Sequence, residues 1–292
     1  MSQFDLDFEP VRRLMRAAIA GPKDLPSPPL PASAWKWATG GQLLRARLAG
    51  RMATGRHVPR KTWMPVAAAI ELVHAASLLH DDVIDGALLR RHAPALWTLY
   101  GPRLAILAGD LLLASAFDLL EGSGRSARAV VPYLVNAARI TCVSEMRREL
   151  APGSAPGSPP LTDEKILELA YGKTGPLFGV AAAGTLPPGT PDKRLAFWEE
   201  TGNEVGVIYQ MADDIADATS TDADTGKTMG RDAARNLSTC ARFATPTTLR
   251  ERLDELDLSV ALSPIPTPDE RLAFTMFLQG DFLPALRPLQ PS

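Results

Sequence analysis

The sequence predicts an all-α protein, a helix bundle with a single core that takes in residues 1–292 as one domain. Three observations predict it. Alternating β-branched runs are nearly absent. Alanine and leucine, both strong helix formers, recur at helical spacing. Proline-rich stretches at 22–33, 151–160, 186–191 and 263–268 cut the chain into pieces of helical length. Proline removes a backbone donor and clashes inside a helix, so each stretch reads as a loop.

The expected elements follow in order. Segment 4–19 is amphipathic after an acidic start, without the charged-then-apolar layout of a signal peptide. Segment 34–53 carries Gly40-Gly41 and Arg45. Segment 62–87 is mostly apolar and ends in DDVID. A short helix is expected over 94–100 and a longer one over 103–121. The most apolar run, 104–120, is interrupted by Asp110 and Asp118, so it reads as a buried helix and not a membrane span. Segments 127–149 and 162–183 follow, the latter containing YGKTGPLF. Segment 192–219 ends in DDIAD, and 267–279 is the last expected helix of a short, proline-broken tail after Thr239.

Composition narrows the function. The formal charge of −2, with no basic run, excludes a general nucleic-acid binder. The two cysteines, Cys142 and Cys240, and four histidines form no zinc spacing and no disulfide framework. This usage fits a reducing cytoplasm.

One motif occurs twice: Asp81, Asp82 and Asp85 in DDVID, and Asp213, Asp214 and Asp217 in DDIAD. Positions i and i+4 share a helix face, so Asp81 points with Asp85 and Asp213 with Asp217. Like charges at this spacing cost roughly 0.2–0.5 kcal/mol per pair on an exposed helix. A lone DDxxD also fits a solvated helix end. Here, however, both copies lie at the C-terminal side of their apolar runs, where the helix dipole disfavours negative charge. Neither His80 nor Met211 neutralises its cluster, whereas a hard divalent cation would. Mg²⁺ takes carboxylate, phosphate and water oxygens, so two facing clusters would make a polyphosphate site. Basic and polar candidates to complete it are Arg45, Arg90, Arg91, Lys173, Thr174, Gln210 and Lys227.

From about Gly40 to about Thr239 the chain resembles the trans-isoprenyl diphosphate synthases, the head-to-tail polyprenyl synthetase family. GGQLLR, ELVHAASLLHDDVIDGALLRRHAP, LAGDLLLASAF, GKTGPLF, YQMADDIAD and GKTMGRD carry the resemblance, in the family's order. It implies a large helical bundle around a central cavity, pairing as a homodimer. It implies Mg²⁺ on Asp81, Asp85 and Asp213, with Asp82, Asp214 and Asp217 coordinating directly or through water; three ions would bridge the diphosphate. Arg90, Lys173, Gln210 and Lys227 would hold the allylic diphosphate. Arg91, Arg45 and His74 would hold isopentenyl diphosphate. The implied reaction is Mg²⁺-assisted ionisation of the allylic diphosphate, then attack by the double bond of isopentenyl diphosphate.

Ala76 and Ser77 lie about one turn below Asp81 and are small, where short-chain members carry a bulky aromatic plug. A long-chain product, resembling that branch of the family, is therefore expected. Departures fall mostly on the isopentenyl side. Gln42 stands where the family has lysine, a loss of charge worth roughly 1.5–3 kcal/mol of binding. His92 replaces a glycine, Asn236-Leu237 replaces Gly-Lys, and Arg148 replaces a glutamine. A weakened regulatory subunit of a prenyl synthase is thus a second reading. A class I terpene synthase is a third, and DDIAD argues against it.

Overall fold

A computed structural model describes residues 6–21, 30–35, 38–151, 161–219 and 238–286. Helix α1 (Glu9–Ala20) buries Val11, Met15 and Ile19 along one stripe. It begins at Glu9 and not at residue 4, with Pro10 in its first turn, where a missing N–H is tolerated. The expected helix over 34–53 is shorter. A 3₁₀ turn at Ala32–Trp35 is followed by α2 (Leu44–Gly55). Between them Gly41 (φ 76°) and Leu43 (φ 53°) are left-handed, which no continuous right-handed helix permits.

Helix α3 (Arg60–Ile84) stops short of residue 87, because Asp85 caps it and Gly86 turns left-handed at φ 61°. A small antiparallel hairpin follows, β1 (Leu89–Arg90) and β2 (Ala93–Pro94), with Arg90 opposite Ala93. No strand was expected here. Helices α4 (Leu96–Tyr100) and α5 (Pro102–Gly122) agree with expectation. The expected helix over 127–149 splits into α6 (Arg125–Arg128) and α7 (Val131–Glu149), since Pro132 lacks the N–H that would join them.

Helix α8 (Asp163–Ala183) is capped by Thr162, whose hydroxyl accepts from the Lys165 N–H. Helix α9 (Asp192–Thr219) has the expected bounds. Helix α10 (Pro246–Leu262) was not expected. Its proline sits at the first helical position and Thr245 forms a capping box with Thr248. Helix α11 (Pro268–Phe277), capped by Thr267 and Glu270, runs into a π-helical turn (Leu278–Phe282) and a 3₁₀ turn (Leu283–Ala285).

The fold is all-α, with α3 at its centre against α1, α2 and α5. By length and composition α3 would also cross a bilayer, but 72% of its apolar window is buried inside the bundle. One hydrophobic cluster runs from Phe8 to Leu286, with Trp63, Trp198, Phe178 and Phe274 almost wholly buried. Helices α8 and α9 touch backbone to backbone. A Cβ on Gly206 would lie 2.6 Å from the Gly175 Cα, and one on Gly202 would lie 2.7 Å from the Gly179 Cα. This approach brings Lys173 and Thr174 beside Gln210 and Asp214. Away from the site, fully buried Glu270 joins three helices: it accepts from Arg56 of the α2 C-cap and Arg194 of α9, each at 2.7 Å.

Candidate active site

Both aspartate motifs end their helices, Asp81, Asp82 and Asp85 on α3 and Asp213, Asp214 and Asp217 on α9. The two Asp clusters are not left to repel. Asp82 is 1% exposed, and its Oδ1 accepts from Arg90 Nε at 2.9 Å and from Arg90 Nη2. Lys173 Nζ lies 3.9 Å from Asp81 Oδ2 and 3.0 Å from Glu145 Oε1. Partners of the first cluster therefore come from the hairpin and from α8, not from the turn upstream. Burial opposes charge on Arg90, but Asp82, Asp81 and Asp213 together raise its pKa. Arg90 thus binds Asp82 of the first motif and lines one cavity with Asp213 of the second. Burial likewise opposes charge on Lys173, and Asp81 and Glu145 outweigh it.

The second motif is held by a chain of hydrogen bonds. The Thr174 hydroxyl donates to Gln210 Oε1 (2.6 Å), and Gln210 Nε2 donates to Asp214 Oδ1 (2.7 Å). The Cys240 N–H donates to Asp214 Oδ2 (2.8 Å). Asp214 is 8% exposed and ties α9 to the segment that returns beside it. Asp213, its neighbour, instead faces the cavity.

That cavity has a volume of about 450 Å³ and is lined by Arg45, His74, Arg90, Arg91, Asp213 and Tyr209, with Glu71, Gln42 and Leu286 at its walls. Each cation is placed by a local device. Glu71, itself 4% exposed on α3, accepts from the Ala46 N–H at 2.9 Å and so caps α2 from outside. That cap positions Arg45, which is 6% exposed, rests 4.5 Å over the Phe178 ring and leaves its buried Nε without a hydrogen bond. Arg91 and His92 are the two turn residues of the hairpin, with φ 53° and 60°, the geometry of a type I′ turn. The Arg91 guanidinium lies against Gly41, where an added Cβ would be 2.5 Å from its Cζ.

The electrostatics suit an anion. Burial lowers the pKa of Arg45, with Arg91 adding repulsion and Glu71 opposing. His74 is held well below its ordinary value by burial and by Arg45, Arg91 and Arg90, so its imidazole is neutral at pH 7. Burial also raises the carboxyl of Glu71, against the pull of Arg45. Several buried cations converging on one cavity are held at a cost that an arriving polyphosphate would relieve.

The donor set fits Mg²⁺. All the available ligands are oxygens. Asp81 is raised by burial, with Glu145 and Asp85 adding repulsion, and Asp82 Oδ2 is a buried oxygen without a hydrogen bond. Among the described residues no three acid, imidazole or thiol side chains form a ready-made cage. Mg²⁺ commonly takes only one or two protein carboxylates and completes its shell with phosphate oxygens and water.

The structure gathers Arg45, His74, Arg90, Arg91 and Asp213 at one cavity. It places Lys173, Gln210 and Asp214 around a small adjoining crevice with Arg148 and Thr239. Lys227 and the Asn236-Leu237 departure lie outside the described residues. Ala76 is 0% exposed, and Ser77 donates to the His74 carbonyl at 2.9 Å. The wall beside them is formed by His74 and Leu78. Sequence reading missed Glu71, Tyr209, the pairing of Glu145 with Lys173, and the C-terminal wall. Asp281 fixes that wall by accepting from Arg47 (2.9 Å) and Arg51 (2.7 Å), which brings Ala285 and Leu286 to the cavity.

A helical bundle that carries two aspartate motifs at helix ends beside a basic cavity is the arrangement of an isoprenoid-synthase-type protein. The chain belongs to the polyprenyl synthetase family, whose pattern it matches over residues 30–255. It is 35% identical over 219 residues to a geranylgeranyl diphosphate synthase of Mycobacterium tuberculosis, covering 74% of this chain and 61% of that protein. It is 33% identical over 208 residues to a short chain isoprenyl diphosphate synthase of Methanothermobacter thermautotrophicus, covering 71% of this chain and 62% of that protein. The chain thus spans about three-fifths of the length of these relatives. Its fold is that of a geranyltransferase from Helicobacter pylori crystallised with magnesium and isoprenyl diphosphate, with TM-score 0.76, 21% identity, and 95% and 97% of the two chains covered.

Proposed function

We propose that the protein is a Mg²⁺-dependent prenyltransferase that condenses isopentenyl diphosphate head-to-tail onto an allylic diphosphate. One observation carries the reading: Arg90, ion-paired with Asp82 of the first motif, lines one cavity with Asp213 of the second and with Arg45, His74 and Arg91. Bound Mg²⁺ would supply Lewis-acid stabilisation of the leaving diphosphate, held by Asp81, Asp85 and Asp213, with Asp82, Asp214 and Asp217 in support. Arg90, Lys173 and the Thr174–Gln210 pair orient the allylic diphosphate and meet its developing charge with preformed donors. The family resemblance gives Lys227, which lies outside the described residues, the same role. Arg45, Arg91 and neutral His74 bind the diphosphate of the second substrate. The apolar wall of Leu78, Ala212 and Ala216 keeps water from the cationic centre.

The small Ala76 and Ser77 support a long-chain product, whereas the names of the relatives above favour a shorter one. The experiment is to incubate the chain with Mg²⁺, isopentenyl diphosphate and allylic primers of increasing length, then size the products. Products that extend past geranylgeranyl support the long-chain reading, and arrest there supports the other. Ala76→Phe shortens the product if the channel passes that face. A regulatory-subunit reading draws on Gln42, which leaves the loop at the cavity without its lysine. Metal-dependent diphosphate binding without turnover on any primer would establish that reading.

The family's homodimer is proposed here too. Ile106 and Leu107 on α5 and Val135 and Met146 on α7 are between 44% and 66% exposed, apolar side chains that a second copy would cover. A second copy of the chain is the occupant, and light scattering at micromolar concentration tests it. The free thiols of Cys142 and Cys240 fit work in the cytoplasm.

A further inference from the structure

The loop that closes the basic cavity is gripped from outside by a residue of α1. Arg12 donates from Nη1 to the Thr39 carbonyl and from Nη2 to the Gly41 carbonyl at 2.9 Å. The next carbonyl, that of Gln42, accepts from Arg47 Nε at 2.7 Å. Gly41 is also the residue against which the Arg91 guanidinium packs. Arg12 thus holds one side of the peptide segment that supports Arg91 on the other.

Glu9 lies 3.9 Å from Arg12 Nε and is engaged by Arg16. The positive charge of Arg12 adds to the repulsion felt by Arg91. Repulsion maintained beside a cavity is stabilised when an anion enters. Gln42 lines this cavity and brings no charge of its own. The Arg12 side chain is 25% exposed, and α1 is fixed by burying Val11, Met15 and Ile19.

We propose that Arg12 is a positioning residue for the second substrate: it fixes the loop from Thr39 to Gln42 beneath Arg91 and adds a guanidinium to the Arg45–Arg91 group that takes the isopentenyl diphosphate. This assignment rests on the prenyltransferase reading. It also explains how a neutral residue is tolerated at position 42, since the missing charge arrives from another helix. A residue that merely stapled α1 to the bundle would affect stability and both substrates alike.

The test compares wild type, Arg12→Ala, Arg12→Lys and the double variant Arg12→Ala/Gln42→Lys. Each is measured for KM of both substrates, for kcat, for Tm, and for equilibrium binding of isopentenyl diphosphate. Arg12→Ala is expected to weaken isopentenyl diphosphate by about 10-fold, the order of one charge-assisted hydrogen bond. The allylic KM and kcat should stay within about 2-fold. Arg12→Lys, and Gln42→Lys added to Arg12→Ala, should each recover most of the loss. An unchanged isopentenyl affinity, an equal loss for both substrates, or no recovery by either lysine overturns the assignment. If Arg12→Ala does not fold, the Arg12→Lys and Gln42→Lys single variants decide: tighter isopentenyl binding in Gln42→Lys with normal binding in Arg12→Lys supports it, and any other pattern overturns it. Should wild type bind isopentenyl diphosphate without turnover, the prenyltransferase reading fails and the binding series alone decides Arg12. Should it bind no diphosphate, both fail.

Discussion

His92 occupies the second turn position of the β1–β2 hairpin at φ 60°, beside Arg91 at φ 53°. A side chain in this region costs about 1–2 kcal/mol, and glycine would relieve it. His92→Gly is therefore expected to raise unfolding stability by about 1 kcal/mol in a urea melt. An unchanged or lower stability would show that the ring contributes contacts that offset the strain. Glu71 is the other residue whose chemistry only the fold reveals. In sequence it is one acid in an apolar helix, yet it caps α2 and faces Arg45. Glu71→Gln should destabilise the protein by roughly 1–3 kcal/mol, the cost of an unbalanced buried charge partner, and should weaken isopentenyl diphosphate binding. The aspartates themselves were legible, because two copies of one motif at helix C-termini break the dipole rule. Their division of labour was not legible. Asp82 and Asp214 are buried and tied to Arg90 and Cys240, which depends on elements far away in sequence.

At the scale of elements, the α8–α9 crossing sets the geometry of the Thr174–Gln210 pair on the proposed allylic side. Gly206→Ala would press a methyl carbon to 2.6 Å from the Gly175 Cα. Separating the helices is expected to cost about 1–3 kcal/mol and to pull Thr174 away from Gln210, lowering kcat. A fully active, equally stable variant would show that the crossing is not what positions Thr174. Helix α11 depends on the Arg56–Glu270–Arg194 cluster. Burial favours the neutral Glu270, but hydrogen bonds from Arg56, Thr267 and Arg194 hold its pKa below the ordinary value. A depressed carboxyl contributes stability above its unfolded pKa of about 4.3 and loses it as pH falls through the folded value. Glu270→Gln should thus cost roughly 3–5 kcal/mol near pH 7, and the gap to wild type should narrow in denaturant melts below pH 4. Prolines explain which helices could be read in advance. Pro187, Pro188 and Pro191 fall between α8 and α9 as expected, whereas Pro246 opens α10 at the one position where proline helps. The hairpin was hidden because its turn is Arg-His instead of a glycine pair.

At the scale of the molecule, two half-sites meet between the C-terminal ends of α3 and α9. The proposed metal and allylic half carries the residues that the family resemblance implies, and its cations Arg90 and Lys173 lie beside Asp82 and Asp81. The proposed second-substrate half departs from the family pattern at Gln42 and His92, and Glu71, Tyr209 and the C-terminal wall line it, with Arg12 holding its loop from outside. The sequence pattern therefore predicted the helical bundle, and it marked the aspartates and cations that the proposed first half uses. The second half depends on tertiary contacts between α1, α2 and the residues after α11, which no local string encodes. The most direct test of the account is Mg²⁺-dependent turnover by the isolated chain, with an allylic primer and isopentenyl diphosphate, compared between wild type, Asp81→Asn and Asp213→Asn. The account predicts chain elongation by wild type that stops on chelation, and a loss of at least about 100-fold in kcat for each variant, the scale of losing one electrostatic group at a reacting centre. Turnover that persists in both variants, or elongation unaffected by chelation, would contradict it.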